Sequence, residues 1–372
     1  MNRLLLALTL FASLTFACTP ATPQTPPTVA PVSALTPNPS PDYGRGEDVA
    51  YISFIINVHD WNHPTESADL LLQLVDLFEK YGVRGDFYFT AEITRELAEK
   101  RPDVIERFRD SDMTISYHVR PPHPLYTGFD ALLKNLNDDE LCQTLLDYET
   151  YALDLETGDL DRSRPGGYAY VAQAFGRNPV VAAAPNGDPR IKDTAQRVYA
   201  ALGAQMTILY HESGTKINQP FEYVNGLLVR PSDFSVTRTT FIDGGENFWW
   251  NFMSRPDADE YNPTALLQNQ LAEWESHNYG RAPFVTSLIH ENNYYRSGAE
   301  AWSSIYFTME KGQKTDPLAP PYNLSAPDPS KLRTPEDQQA IFAAYEELVA
   351  YAAANLMVVT SEDILALAAT GQ

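Results

Sequence analysis

The stretch Ile52-Ser53-Phe54-Ile55-Ile56-Asn57-Val58-His59-Asp60 is an apolar, β-branched and aromatic run that closes on a polar pair. Such a run, bounded downstream by turn residues, reads as a β-strand. The pattern recurs in Met113-Thr114-Ile115-Ser116-Tyr117-His118 and in Pro283-Phe284-Val285-Thr286-Ser287-Leu288-Ile289-His290, and His211 closes a fourth, shorter run. Strand after strand therefore ends in a ligand-type side chain. In a barrel of parallel strands the C-terminal ends share one rim, so residues remote in sequence meet at one pocket.

Between these strands the chain alternates strand and helix. Residues 68–81 carry Leu70, Leu71, Leu74, Leu77, Phe78 and Tyr81 at helical spacing, and a second strand over 84–89 leads to a helix over 91–108. After the strand that ends at His118, residues 138–155 read as helix, 180–184 as a brief strand and 189–202 as its helix. Strands over 205–210 and 226–229, a helix over 263–276 and the strand ending at His290 follow. Near the end, Thr334-Pro335-Glu336-Asp337 offers an N-cap threonine, a proline at the first helical position and acids in the first turn. That helix runs to about 354, a closing strand covers 356–359, and Thr360 or Ser361 caps a terminal helix. Seven or eight such units fit a distorted (β/α) barrel of about seven parallel strands better than an open sheet. Segments 211–262 and 291–333 interrupt the rhythm where barrels place their active-site loops.

The ends and the charge narrow the setting. Arg3, the apolar residues 4–16 and Ala17 compose an export signal over 1–17, too short in its apolar part to span a bilayer. Thr15-Phe16-Ala17-Cys18 resembles a lipobox, which makes Cys18 the expected lipidation site of a membrane-anchored bacterial lipoprotein; Thr15 and Ala17 also suit ordinary signal cleavage. Residues 18–46 are rich in Pro, Thr, Ser and Ala and read as an extended spacer, leaving 47–372 as one domain. The other cysteine, Cys142, then has no partner within the chain, and a buried apolar role is expected of it. A formal charge of −22 argues against nucleic acid and anionic membrane surfaces and favours a neutral or cationic substrate.

At the rim, Asp60, His118 and His123 are the best candidate metal set. One carboxylate and two imidazoles suit zinc or another divalent first-row metal and leave positions for water and substrate. A metal-bound water ionises near neutrality, so hydrolysis then needs only a base and an acid. His211 and Glu212, and Arg230 and Asp233, follow the fifth and sixth strands and either bind substrate or anchor loops. Trp61, Trp302, Tyr294-Tyr295 and Phe248-Trp249-Trp250 offer flat faces for sugar rings, or anchors for long loops. No G-x-S-x-G elbow, H-E-x-x-H helix or phosphate-binding glycine loop is present.

With these residues in place, the chain resembles the polysaccharide deacetylases of the NodB-homology type (carbohydrate esterase 4-like), metal-dependent carbohydrate esterases with a distorted (β/α) barrel. Asn57-Val58-His59-Asp60-Trp61 resembles their first motif, and Asp76 to Phe89 the helix, turn and strand that follow. Thr114 to His118, through His123-Pro124, resembles the second motif, and Leu288-Ile289-His290 the last. The resemblance implies Asp60, His118 and His123 as metal ligands, zinc first among candidates, and His290 as general acid. It implies removal of acetyl groups from a cell-envelope or environmental glycan. His59 stands where the family carries its acidic general base, and imidazole is a competent base near pH 7. His118 and His123 stand one residue further apart than the family's pair. Arg164-Pro165-Gly166-Gly167-Tyr168 resembles the arginine motif, making Arg164 a substrate-binding candidate beside Trp61, His211, Glu212, Asp233 and Glu291. Two other readings stay open: a catalytically inactive, deacetylase-like glycan-binding lipoprotein, and a metal-dependent hydrolase of another non-peptide C–N bond.

Overall fold

A computed structural model describes residues 49–183, 185, 187–208, 220–235 and 262–370. The export signal, the spacer with Cys18, and the predicted rim residues His211 and Glu212 lie outside the described residues, as do Phe248, Trp249 and Trp250. No helix among the described residues is long and apolar enough to cross a membrane.

The central strand is β1 (Tyr51–Val58), which pairs in parallel with β10 (Phe284–His290) along its whole length and with β2 (Asp86–Phe89) along its C-terminal half. β2 continues to β3 (Thr114–Tyr117), and single parallel bridges link Tyr117 to Ala182 and Val181 to Met206. β6 (Met206–Thr207) pairs with β8 (Leu227–Val229), and after Arg230 to Asp233 the chain resumes as β9 (Phe234–Ser235) against β10. Seven parallel stations thus return to β1, with the predicted strand over 180–184 reduced to bridges and the sixth station broken in two. This is the distorted (β/α) barrel expected from the sequence. β4 (Tyr151–Leu153), β5 (Leu160–Pro165) and β7 (Glu222–Val224) are antiparallel additions outside the ring.

β1 shows how the sequence builds two layers, because successive side chains point to opposite faces. Phe54, Ile56 and Val58 face the helices in one core with Phe78, Phe87, Phe89 and Phe108, whereas Ile55 faces the barrel interior with Tyr88, Val181, Met206, Leu228 and Phe284. The first layer is covered by α1 (Pro64–Lys80), α2 (Ala91–Lys100) and α3 (Pro102–Asp110). The single helix expected over 91–108 is thus two, since proline at 102 cannot supply the backbone N–H that would continue it. α4 (Asp138–Tyr148) ends earlier than expected and the chain turns into the β4–β5 hairpin, followed by α5 (Gly167–Phe175). Gly166 and Gly167 permit that turn: a Cβ on Gly166 would lie 2.2 Å from the Tyr151 carbonyl oxygen, and Gly167 adopts φ +50° against Glu149.

The later helices are α6 (Pro189–Leu202), α7 (Pro263–His277), α8 (Asn292–Tyr295) and α9 (Ser303–Tyr306), then α10 (Pro335–Asn355) and α11 (Ser361–Thr370). Thr334 caps α10 as its sequence predicts, accepting from the Asp337 N–H at 3.1 Å. Cys142, buried on α4, is disulfide-bonded, which corrects the expectation that it has no partner within the chain; the sulfur it joins lies outside the described residues.

Candidate active site

Three of the strand ends meet as the sequence predicts. The β1–β10 register sets Asn57 beside His290, and β2 carries the pairing to β3, so His59, His118 and His290 share the rim. The His59 ring lies 4.9 Å from His290 and 6.0 Å from His118, centroid to centroid. All three are buried, and burial first, then the charge of Arg120, holds each imidazole well below its ordinary pKa. Burial and the Arg120 charge thus disfavour the imidazolium that the expected general acid His290 would need.

His59 is fully enclosed and both its ring nitrogens face N–H donors. Trp302 Nε1–H donates to Nδ1 at 3.3 Å, and Arg120 Nη2 stands 3.4 Å from Nε2. A neutral imidazole has one lone pair and one N–H. Whichever donor takes that lone pair, the other nitrogen carries the hydrogen, and none is left to accept a proton from water. Both ring nitrogens of His59 thus face protein donors, which disfavours its expected use as the base.

Asp60 is equally committed. Its carboxylate accepts from the Tyr295 hydroxyl at 3.0 Å and faces His63 Nδ1 at 3.1 Å, while His63 Nε2 lies 3.2 Å from Asp328. Burial opposes a charge on His63, but the Asp60 hydrogen bond and charge and the Asp328 charge raise its pKa. His123 turns away from this group. Its Nδ1 accepts the Leu125 N–H at 3.2 Å, its ring packs against Tyr148, and Nε2 lies 3.2 Å from Glu149. Glu149 is itself held by the Tyr199 hydroxyl and the Tyr168 N–H. Among the described residues no three His, Cys, Asp or Glu side chains are grouped to hold a metal ion. The expected set Asp60, His118 and His123 is not assembled: loop 119–123 folds His123 onto Glu149, so zinc does not fit these donors as they stand. His118 and His123 each keep a buried Nε2 with no hydrogen-bond partner.

Glu291 closes β1 rather than facing substrate. One carboxyl oxygen accepts the backbone N–H groups of His59 and Asp60, both at 2.6 Å, and the Glu291 N–H returns to the Asn57 carbonyl at 3.0 Å. Burial and then the Asp60 charge push its carboxyl up to about 8. Asp233 lies at the start of β9, where it pairs with Arg281 and accepts the Phe284 N–H. It is at the strand-start end and not on the rim. Arg230 runs into the barrel interior to Asp86 at 2.8 Å.

A cleft of 260 Å³ is lined by Trp61, Tyr117, His123, Tyr148, Arg164 and the start of α2. Trp61 and Arg164 are thereby brought together as expected, although Arg164 is half exposed and paired with Asp161 at 2.6 Å.

No family model and no curated protein matches the chain. Among solved structures, an allantoinase is similar at 12% identity and TM-score 0.47, over 94% of this chain and 99% of its own. The peptidoglycan deacetylase PdaC from Bacillus subtilis is similar at 10% identity and TM-score 0.37, over 88% and 95%. A CE4 family pseudoenzyme from Bacillus anthracis is similar at 11% identity and TM-score 0.33, over 66% of this chain and 56% of its own, so this chain spans little more than half of it. Likenesses of this order carry no argument about activity.

Proposed function

We propose that this chain is an exported, deacetylase-like barrel that binds a glycan without hydrolysing it. The observation that carries the reading is that each ring nitrogen of His59 faces an N–H donor of the protein, Trp302 at Nδ1 and Arg120 at Nε2, with Arg120 Nη2 also 3.2 Å from both ring nitrogens of His290. A guanidinium stands among the residues that a hydrolytic centre would keep for base, metal and acid. Asp60, meanwhile, is held by Tyr295 and His63, and His123 is turned toward Glu149.

Binding is supported by the cleft. A cavity of about 150 Å³ admits a benzene ring, so 260 Å³ accommodates a sugar ring. Trp61, Tyr148 and Tyr151 offer apolar faces for its C–H surface, while Glu92, Arg95 and Arg164 present polar edges for its hydroxyls.

Calorimetric titration of the exported protein with acetylated oligosaccharides tests this. Saturable binding without acetate release is expected, and Trp61→Ala should weaken it about 3- to 10-fold, the worth of one aromatic contact. Accumulating acetate, or unaltered binding by Trp61→Ala, would overturn the reading.

A further inference from the structure

The histidine centre is organised around a cation that has no anion. Arg120 is partly exposed, and its guanidinium touches His59 and His290 and lies 5.9 Å above the Trp302 ring. Its Nε is buried without a hydrogen-bond partner, and no carboxylate among the described residues comes within ion-pair distance. Other enclosed arginines of the chain are neutralised or satisfied: Arg230 by Asp86, Arg281 by Asp233, Arg296 by Asp328, and Arg333 by backbone carbonyls. Glu300, the buried acid whose field reaches Arg120, is taken by Lys314 at 2.9 Å, and Lys314 lies over the same indole at 5.1 Å. His118, only 6% exposed, adds its unpartnered Nε2 to this group.

We propose that Arg120, with His118 Nε2, forms an anion site that takes the carboxylate of an acidic sugar. The inference rests on the glycan-binding reading and names its substrate class. A guanidinium presents paired N–H donors that match a carboxylate, and an enclosed charge left without a counter-ion is costly unless a ligand supplies one. The partial exposure of Arg120 gives the carboxylate its approach, since His59 is closed. The groups that Arg120 Nη2 touches, His59 and His290, bring no negative charge of their own. The overall negative charge opposes polyanions at long range, but this repulsion is screened beyond about 8 Å at physiological salt and does not set the local chemistry.

The test is calorimetric titration of the full exported chain with a glucuronate-containing oligosaccharide and with its carboxyl-reduced, neutral counterpart. Sodium acetate and inorganic phosphate serve as small-anion controls. The acidic oligosaccharide should bind about 10-fold more tightly or better than the neutral one, the worth of a charge-assisted hydrogen bond. Arg120→Gln should erase that difference, and Arg120→Lys should keep part of it; thermal unfolding verifies that both variants fold. Equal affinity for the two oligosaccharides overturns the carboxylate site and leaves the glycan reading standing. Failure of both to bind overturns the two together. Acetate or phosphate binding as tightly as the acidic sugar shows a small-anion site and overturns the sugar assignment.

Discussion

Replacing Glu291 by glutamine separates a structural carboxyl from a catalytic one. Glu291 is enclosed, one oxygen holds two backbone N–H groups, and the other is buried without a partner. Its carboxyl is pushed up to about 8 from an ordinary 4.5 by burial and then by the Asp60 charge. Because the folded value lies above the unfolded one, the native chain holds the extra proton. The associated stability is complete below the unfolded value and is lost as pH rises through the folded one. Three and a half pH units at about 1.4 kcal/mol each set a ceiling of about 5 kcal/mol, lowered in practice by relaxation and water penetration. Glutamine keeps the accepting oxygen and cannot ionise. Urea unfolding of both proteins at pH 5, 6.5 and 8, followed by tryptophan fluorescence, should give similar stabilities at pH 5 and a progressively more stable Glu291→Gln variant toward pH 8. Parallel curves, or a variant that is less stable at every pH, would refute the argument.

Three further outcomes follow. Asp86→Ala should cost about 3–5 kcal/mol in equilibrium unfolding, because it strands the Arg230 guanidinium inside the barrel and frees the Ser361 N–H; a loss under about 1 kcal/mol would show that the pair is not buried. Gly167→Ala should destabilise by about 1–3 kcal/mol, since an alanine there must hold φ +50° with its Cβ pressed on Glu149, and an unchanged urea midpoint would contradict the turn geometry. The disulfide at Cys142 predicts that the unreduced chain shows no titratable thiol when unfolded. A lipid holds the sulfur of its cysteine in a thioether, so a lipid adduct on Cys18 together with a free thiol would instead assign Cys18 to a membrane anchor.

Much of the fold was legible because strand ends are chemically marked. His59, His118 and His290 converge since parallel strands deliver their C-termini to one rim, a rule that needs no knowledge of the loops. His123 failed the same reasoning because it lies in a loop, where a local acceptor such as Glu149 outweighs a remote partner. Arg120 sits between two histidines in plain view, but an always-charged side chain is no metal ligand and drew no attention beside them. His63, three residues after Asp60, was missed because it opens α1 and closes no strand. Arg230 and Asp233 follow the sixth strand as read, yet that strand resumes after them, so they serve the barrel interior and its strand-start end. The hairpin over β4 and β5 was hidden because Tyr151, Leu153 and Leu155 extend the apolar pattern of the preceding helix. Net charge pointed to a neutral or cationic ligand, but it describes the far field and not the cation at the centre.

The account turns on whether the histidine centre is built around Arg120 or around a metal ion. Equilibrium dialysis of the purified protein against zinc, with metal analysis of wild type and of Asp60→Ala, measures this directly. The account predicts no zinc that depends on Asp60, and the same bound amount in both proteins. One zinc per chain that is lost in Asp60→Ala would contradict it, and would restore Asp60, His118 and His123 as a metal centre that closes only when the ion is present.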